Sequence, residues 1–250
     1  ININMHSRQY DVDRKSPKYH KTVGRHEFTA KRFDKFVPAF SMDKKGARTP
    51  FQVAYDEGGI PVVLDHGAVK HAVSWRQELH TLRNDQIMLV AQGLSSCVHP
   101  YIVVAPLAWK DLMENEGVRA KLTDEFSMKI ARALRIVLNE VNIASHSPQS
   151  MTAAINALNG VAQFCEALSR SSSAVSGGGL KFLPLTGQGN TKIGIDTELV
   201  KAILPGMRPH AISKTPQVRK ACHAALDVIV ACGGTSVKSE IKRKIPTYRG

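Results

Sequence analysis

Thr123-Asp-Glu-Phe-Ser-Met-Lys-Ile-Ala-Arg-Ala-Leu-Arg-Ile-Val-Leu-Asn-Glu-Val141 decides the fold class. Its apolar residues Phe126, Ile130, Ala133, Leu134, Val137, Leu138 and Val141 recur at the i, i+4, i+7, i+8, i+11 spacing that lines one side of a 3.6-residue helix. Thr123 stands where an N-cap oxygen meets the free N–H groups of the first turn, and Asp124 and Glu125 occupy the positively polarised end. A helix with one apolar stripe cannot bury it alone, so a neighbour must cover it.

Two further stretches repeat this grammar. Ser147-Pro148 places a hydroxyl cap before a proline at the first helical position, and Met151, Ala154, Ile155, Leu158, Val161, Ala162, Cys165 and Leu168 follow on one face, with an end expected near Arg170. Thr215-Pro216 opens the other, with Val218, Ala221, Cys222, Ala225, Leu226, Ile229 and Cys232 buried and Gly233-Gly234 as a left-handed stop. Between them Thr197 to Leu204 predicts a short helix that Pro205 and Gly206 terminate. Short connections between one-sided helices predict antiparallel hairpins, and stacked hairpins make a solenoid. The expected fold is therefore all-α, a short armadillo/HEAT-like α-solenoid at residues 51–250 behind an extended basic arm at residues 1–50.

Two stretches read differently. Around Gly58-Gly59 two short apolar runs fit either a hairpin or a helix ended by the glycines and followed by an extended segment from Pro61; local signals leave both open. Ser171-Ser-Ser-Ala-Val-Ser-Gly-Gly-Gly179, with Gly187 and Gly189, reads as a flexible surface insertion over residues 171–190.

The composition bounds function. Of 250 residues, 43% are hydrophobic, enough for a buried core. No apolar run approaches the roughly 18 to 20 residues of a membrane span, and charges stand in the first thirty residues where a signal peptide needs apolar ones, so a place in the cytosol or nucleus is expected. Cys97, Cys165, Cys222 and Cys232 lack close pairs, as buried thiols do. The net charge of +13 attracts polyanions. Residues 1–50 hold 12 Lys and Arg against 5 Asp and Glu, which places the positive density at the front of the chain.

Catalytic constellations are hard to build. The glycine-rich stretch lacks the Lys-Ser/Thr pair of a phosphate loop, and His66, His71 and His80 near Asp65 have neither i, i+4 nor HExxH spacing. Glu114 and Glu116 read as solvated carboxylates on a short charged helix, and Trp75 and Trp109 as core or half-buried anchors. No catalytic residue, cofactor site or metal site is expected. Lys238, Lys242, Arg243 and Lys244 form a second basic cluster on a last helix.

Gly58-Gly-Ile-Pro-Val-Val-Leu-Asp-His-Gly-Ala-Val-Lys-His-Ala-Val-Ser-Trp75, His99-Pro-Tyr101 and Gly233-Gly-Thr-Ser-Val-Lys-Ser-Glu-Ile-Lys-Arg-Lys-Ile-Pro-Thr-Tyr248 together resemble the parkin co-regulated gene protein (PACRG) family, nearest its PACRG-like branch, over Thr49 to Tyr248. The basic arm and the Ser/Gly insertion lie outside the shared pattern. The resemblance implies an armadillo/HEAT-like fold without catalytic activity and association with tubulin in cilia and flagella. The family's founding member sits at the inner junction of the axonemal doublet, bridging protofilaments beside a small β-rich partner. The expected partners are thus the α/β-tubulin lattice and other axonemal microtubule inner or inner-junction proteins. The expected contacts are Lys31, Arg32, Lys35, Lys44, Lys45 and Arg48 from the arm and Lys242, Arg243 and Lys244 from the last helix. The competing expectation is a basic RNA- or DNA-binding subunit of a ribonucleoprotein particle, which a pI near 9.7 also suits. The absence of aromatic-studded strands or a reading helix weighs against it.

Overall fold

The computed structural model describes residues 48–66, 71–143, 147–174 and 195–250. It is mostly helical, with one small hairpin. Helix α1 (Pro50–Asp56) starts from a reciprocal cap: Thr49 Oγ1 accepts from Gln52 N at 3.2 Å, and Gln52 Oε1 accepts from Thr49 N at 3.0 Å. It ends at Gly58, whose φ of +73° suits glycine, and the amides of Gly59 and Ile60 return to the Ala54 carbonyl. The open choice around the two glycines is thereby settled. The helix stops there, and the extended run after Pro61 becomes strand β1 (Val62–His66), antiparallel to β2 (His71–Trp75), with Val62 opposite Trp75 and His66 opposite His71.

This hairpin departs from a purely α expectation. Ile60, Val62 and Leu64 alternate inward with Asp65 outward, the period-2 pattern of a half-buried strand. Leu64 N donates to Tyr55 Oη at 3.3 Å, and the Trp75 indole donates to Asp111 Oδ2 at 3.0 Å, so the hairpin is tied to α1 and to the helix that carries Asp111.

A 3-10 turn at Leu79–Thr81 leads into α2 (Asn84–Gly93), α3 (Tyr101–Glu114) and α4 (Glu116–Arg119). Glu114 and Glu116 fall on α3 and α4, either side of Asn115, whose side chain caps α4. The long helices follow: α5 (Asp124–Ile143), α6 (Pro148–Ala174), α7 (Thr197–Ala211) and α8 (Pro216–Lys244). Phe126 N donates to Thr123 Oγ1 and Ser150 N to Ser147 Oγ, as the caps predict. At Thr215 the hydroxyl makes no capping bond.

Three boundaries differ from expectation. Helix α6 runs past Arg170 to Ala174, so the first four residues of the Ser/Gly stretch are helical; Ser171 Oγ bonds the Ala167 carbonyl within the helix. The remainder of the insertion lies outside the described residues. Helix α7 continues through Pro205 and Pro209 to Ala211 because tertiary contacts with α5 and α8 outweigh the lost N–H groups. Gly234 is a left-handed interruption (φ +75°) and not an end, since helix resumes to Lys244.

The last interruption kinks α8, and the residues after it return to its first part. Tyr248 Oη donates to Asp227 Oδ1 at 2.6 Å. A straight helix from Asp227 to Lys244 would be about 26 Å long, and four further residues reach back at most about 14 Å. The bond fits the kink at Gly234, which divides α8 into two arms.

The helices pack in pairs: α5 against α6 and α7, α6 against α8, and α7 against α8. On the other side α2 bridges α1, α3 and α5, while α3 lies on α6. Trp109 is fully buried, and its indole donates to the Gly160 carbonyl of α6 at 2.9 Å. At the α5–α7 crossing glycine is a requirement, since a Cβ on Gly206 would lie 2.9 Å from the Arg135 carbonyl oxygen and 3.0 Å from Leu138 Cβ. Backbone cannot move aside as a side-chain tip can. We expect Gly206→Val to cost at least about 2 kcal/mol and to lower the thermal midpoint measurably, as read by circular-dichroism melting.

Candidate partner-binding surface

The expected contact residues fall into three groups. Lys31, Arg32, Lys35, Lys44 and Lys45 lie outside the described residues. Arg48 is solvent-facing but already paired, its guanidinium 3.0 Å from Asp56 Oδ2, and the same carboxylate accepts from Tyr101 Oη at 2.9 Å. The Tyr101 bond ties α3 to α1. Lys242, Arg243 and Lys244 are all exposed on the second arm of α8. Arg243 grips Glu240 through two bonds of 2.6 and 3.0 Å, whereas Lys242 and Lys244 have no carboxylate within 4 Å among the described residues.

This cluster is held in place by the end of the chain. Ile245 and Tyr248 are buried, and the Tyr248 ring packs 6.1 Å from that of His223. Burial, with the Asp227 carboxylate beside it, pushes the Tyr248 hydroxyl up to about 12, so it stays a donor at any physiological pH. Helix packing thus accounts for the Ile-Pro-Thr-Tyr ending: two apolar side chains and one hydroxyl fasten the second arm along the first. Tyr248→Phe removes the bond and leaves Asp227 exposed to water. We expect a loss of about 1 kcal/mol with faster amide exchange confined to residues after Gly234, measured by hydrogen–deuterium exchange.

Counting charge along the fold relocates the positive density. Residues 195–250 hold ten Lys and Arg against four Asp and Glu. The net +6 of residues 51–250 therefore resides there, close to the +7 at the front of the chain. Between Glu198 and Asp227 there is no acidic residue, while Lys201, Arg208, Lys214, Arg219 and Lys220 all occur. Setting residues 1–50 against the rest concealed this second concentration; a running count along α7 and α8 reveals it.

Chemistry is sparse elsewhere. His66 and His71 oppose each other in the hairpin, and His80 is exposed with Nδ1 3.3 Å from Glu78. Among the described residues no three His, Cys, Asp or Glu side chains converge as metal ligands do, and no helix is long and apolar enough to cross a membrane. The cysteines are free thiols. Burial pushes Cys222 up to about 12 and Cys165 higher still, which suppresses the thiolate that nucleophilic chemistry needs. A shallow cleft beside the α7–α8 corner, lined by Met151, Ala154, Val218, Ser150, His210 and Thr215, has space for about one water molecule.

Residues 49–171 match the model of the family described as Parkin co-regulated protein. The chain is similar to this family over that segment. The family segment runs from the α1 cap through most of α6, and it contains the hairpin and the α3 and α5 cores. It holds ten Lys and Arg against twelve Asp and Glu. The family segment is thus slightly acidic, and the excess of positive charge lies on either side of it. The Gly233 to Tyr248 motif falls beyond the matched residues.

His210 of α7 provides a titration test of this packing. It is buried, with Nε2 2.8 Å from the Leu138 carbonyl. Burial holds it below the ordinary histidine value of 6.5, against the opposing pull of that carbonyl. The unfolded chain then binds the proton more readily, so the stability is present above about pH 6.5 and is lost as pH falls. Urea titrations at neutral and mildly acidic pH should show a larger drop in midpoint for the wild type than for His210→Gln.

Proposed function

We propose that this chain is a non-enzymatic, microtubule-associated structural protein of the ciliary or flagellar axoneme, which binds the α/β-tubulin lattice and bridges or stabilises protofilaments of the doublet. Its body is a short armadillo/HEAT-like solenoid, with α5 to α8 as stacked helical pairs. Its neighbours are other microtubule inner or inner-junction proteins, and its location is the axonemal cytoskeleton. The observation that carries this reading is a family segment of near-neutral charge flanked by basic ones, with Lys242 and Lys244 exposed on an arm that is anchored at both ends.

Energetics divides the labour. An exposed ion pair contributes only about 0.2 to 1 kcal/mol, so lysines on an acidic filament supply attraction without orientation. Orientation comes from a helical face of fixed shape. Repetition along a lattice then raises the effective concentration of each weak contact. In this role the protein is a strut, and the anchored arm keeps its cations from swinging free.

Co-sedimentation with polymerised tubulin tests it. The full chain should pellet with microtubules, and less so as salt rises through the range where the Debye length shrinks below about 10 Å. Lys242→Gln with Lys244→Gln should weaken retention by about three- to tenfold. Retention on RNA in a gel shift without retention on microtubules would sink the proposal and favour a ribonucleoprotein subunit.

A further inference from the structure

The corner between α7 and α8 is a second basic surface, outside every residue assigned above to the filament. Arg208, Lys214 and Lys220 are exposed there, and none has a carboxylate within 4 Å among the described residues. Several exposed cations elsewhere in the fold are paired instead: Arg83, Lys129, Arg170, Lys201 and Arg243 each hold an acidic side chain. At the same corner stands Ile212, 64% exposed, one of two large apolar side chains that the described residues leave open to water. An isolated exposed isoleucine is ordinary. One that shares a corner with three unpaired cations is a different case, because an apolar contact and an electrostatic one are offered side by side.

The corner is also rigid. Arg219 donates through Nη1 to the Ser213 carbonyl at 2.6 Å and the Lys214 carbonyl at 3.1 Å, so its guanidinium is spent on holding the turn. The Ser213 amide returns to the His210 carbonyl, and the His210 ring is anchored on Leu138 of α5. The turn that displays Ile212 and Lys214 is therefore fixed before any partner arrives, which lowers the entropy lost on binding.

We infer that this corner docks an extended, carboxylate-rich polypeptide segment carrying one apolar side chain, which sits on Ile212 while its carboxylates meet Arg208, Lys214 and Lys220. The charge complementarity is direct, since no acidic residue lies between Leu199 and Leu226 to repel such a segment. A nucleic acid fits less well, because the exposed residues of the corner include no aromatic ring on which a base could stack. A membrane surface fits less well too, since it needs a broad apolar face and the corner offers one side chain. The inference goes beyond the filament reading and stands or falls without it.

The test is fluorescence anisotropy with the full chain and two labelled peptides of about twelve residues, one all glutamate and one with a single central leucine. Arg208→Gln, Lys214→Gln and Lys220→Gln combined should weaken both by about tenfold, with Arg219 left intact so that the turn persists. Ile212→Ser should weaken only the leucine-bearing peptide, by about threefold. Lys242→Gln with Lys244→Gln should leave both affinities within about twofold. All of these positions face solvent, and melting curves of the variants should superpose on the wild type. Unchanged binding in the triple variant, equal loss from the Lys242 and Lys244 pair, or an equal effect of Ile212→Ser on the two peptides would overturn the inference. So would displacement of the peptide by duplex RNA or phosphatidylserine vesicles at lower charge-equivalent concentration. A wild-type chain that binds the peptide but ignores microtubules supports the corner and removes the filament; the reverse result removes the corner alone.

Discussion

The stripe on α5 is the constraint on which the rest of the fold depends. Phe126, Ile130, Leu134, Val137, Leu138 and Val141 are all buried, and no single neighbour covers them; α2, α6 and α7 each take a share. Burial of one such side chain contributes roughly 1.5 to 3 kcal/mol. Six on one helix therefore bind three other helices to it, and those helices carry the remaining elements. Because α7 crosses α5 where Gly206 admits the Arg135 backbone, the approach is close enough for His210 to reach the Leu138 carbonyl. A polar bond thus fixes the depth of an apolar contact. The corner after α7 inherits its position from that crossing, and so the surface chemistry at Ile212 and Lys214 depends on packing in the middle of the molecule.

Charge follows a different logic from burial. The helices that build the shared core carry balanced or slightly acidic surfaces, and many of their cations hold a carboxylate one turn away, as Lys129 does with Glu125 and Arg170 with Glu166. Such pairs leave little outward field. On α7 and α8 Lys201 and Arg243 hold an acidic side chain, but Arg208, Lys220 and Lys242 have no carboxylate within 4 Å among the described residues. A family segment that supplies shape and flanking regions that supply charge can diverge independently, because neither depends on the other's residues.

The helical grammar was legible wherever periodicity and caps agreed. The α5 stripe, the Ser147-Pro148 start of α6 and the Thr123 cap all appear as the residues predict. What escaped were features decided by distant contacts. Pro205 reads locally as a stop, yet α7 passes through it because Ile203, Leu204 and Met207 are buried against neighbours. Gly234 reads as an end, and only the bond from Tyr248 to Asp227 shows that the helix restarts and folds back. The choice around Gly58-Gly59 stayed open because its apolar runs are shorter than the period needed to tell strand from helix, and the pairing of Val62–His66 with His71–Trp75 was not read from the sequence at all. Of the candidate contacts, Arg48 looked free in sequence, but a carboxylate eight residues away neutralises it. Arg208, Lys214 and Lys220 were individually unremarkable, since exposed cations are common, and they gain meaning only from the run without acids and the exposed isoleucine among them.

The folded α8 makes a long helix into a short, stiff lever. A continuous helix of that length would project its last residues beyond the body, where Lys242 and Lys244 would sweep a wide volume. Folding at Gly234 buries Val237, Ile241 and Ile245 instead, and the terminal tyrosine closes the loop on Asp227. Ordering the arm costs conformational entropy of about 1 to 2 kcal/mol per residue, and buried apolar side chains at every third or fourth position offset it. The cations are thereby presented from a fixed platform, so an acidic partner that meets them need not order the arm itself. Affinity per contact is low for solvated charges, and a platform that arrives already ordered is the condition under which a few of them suffice.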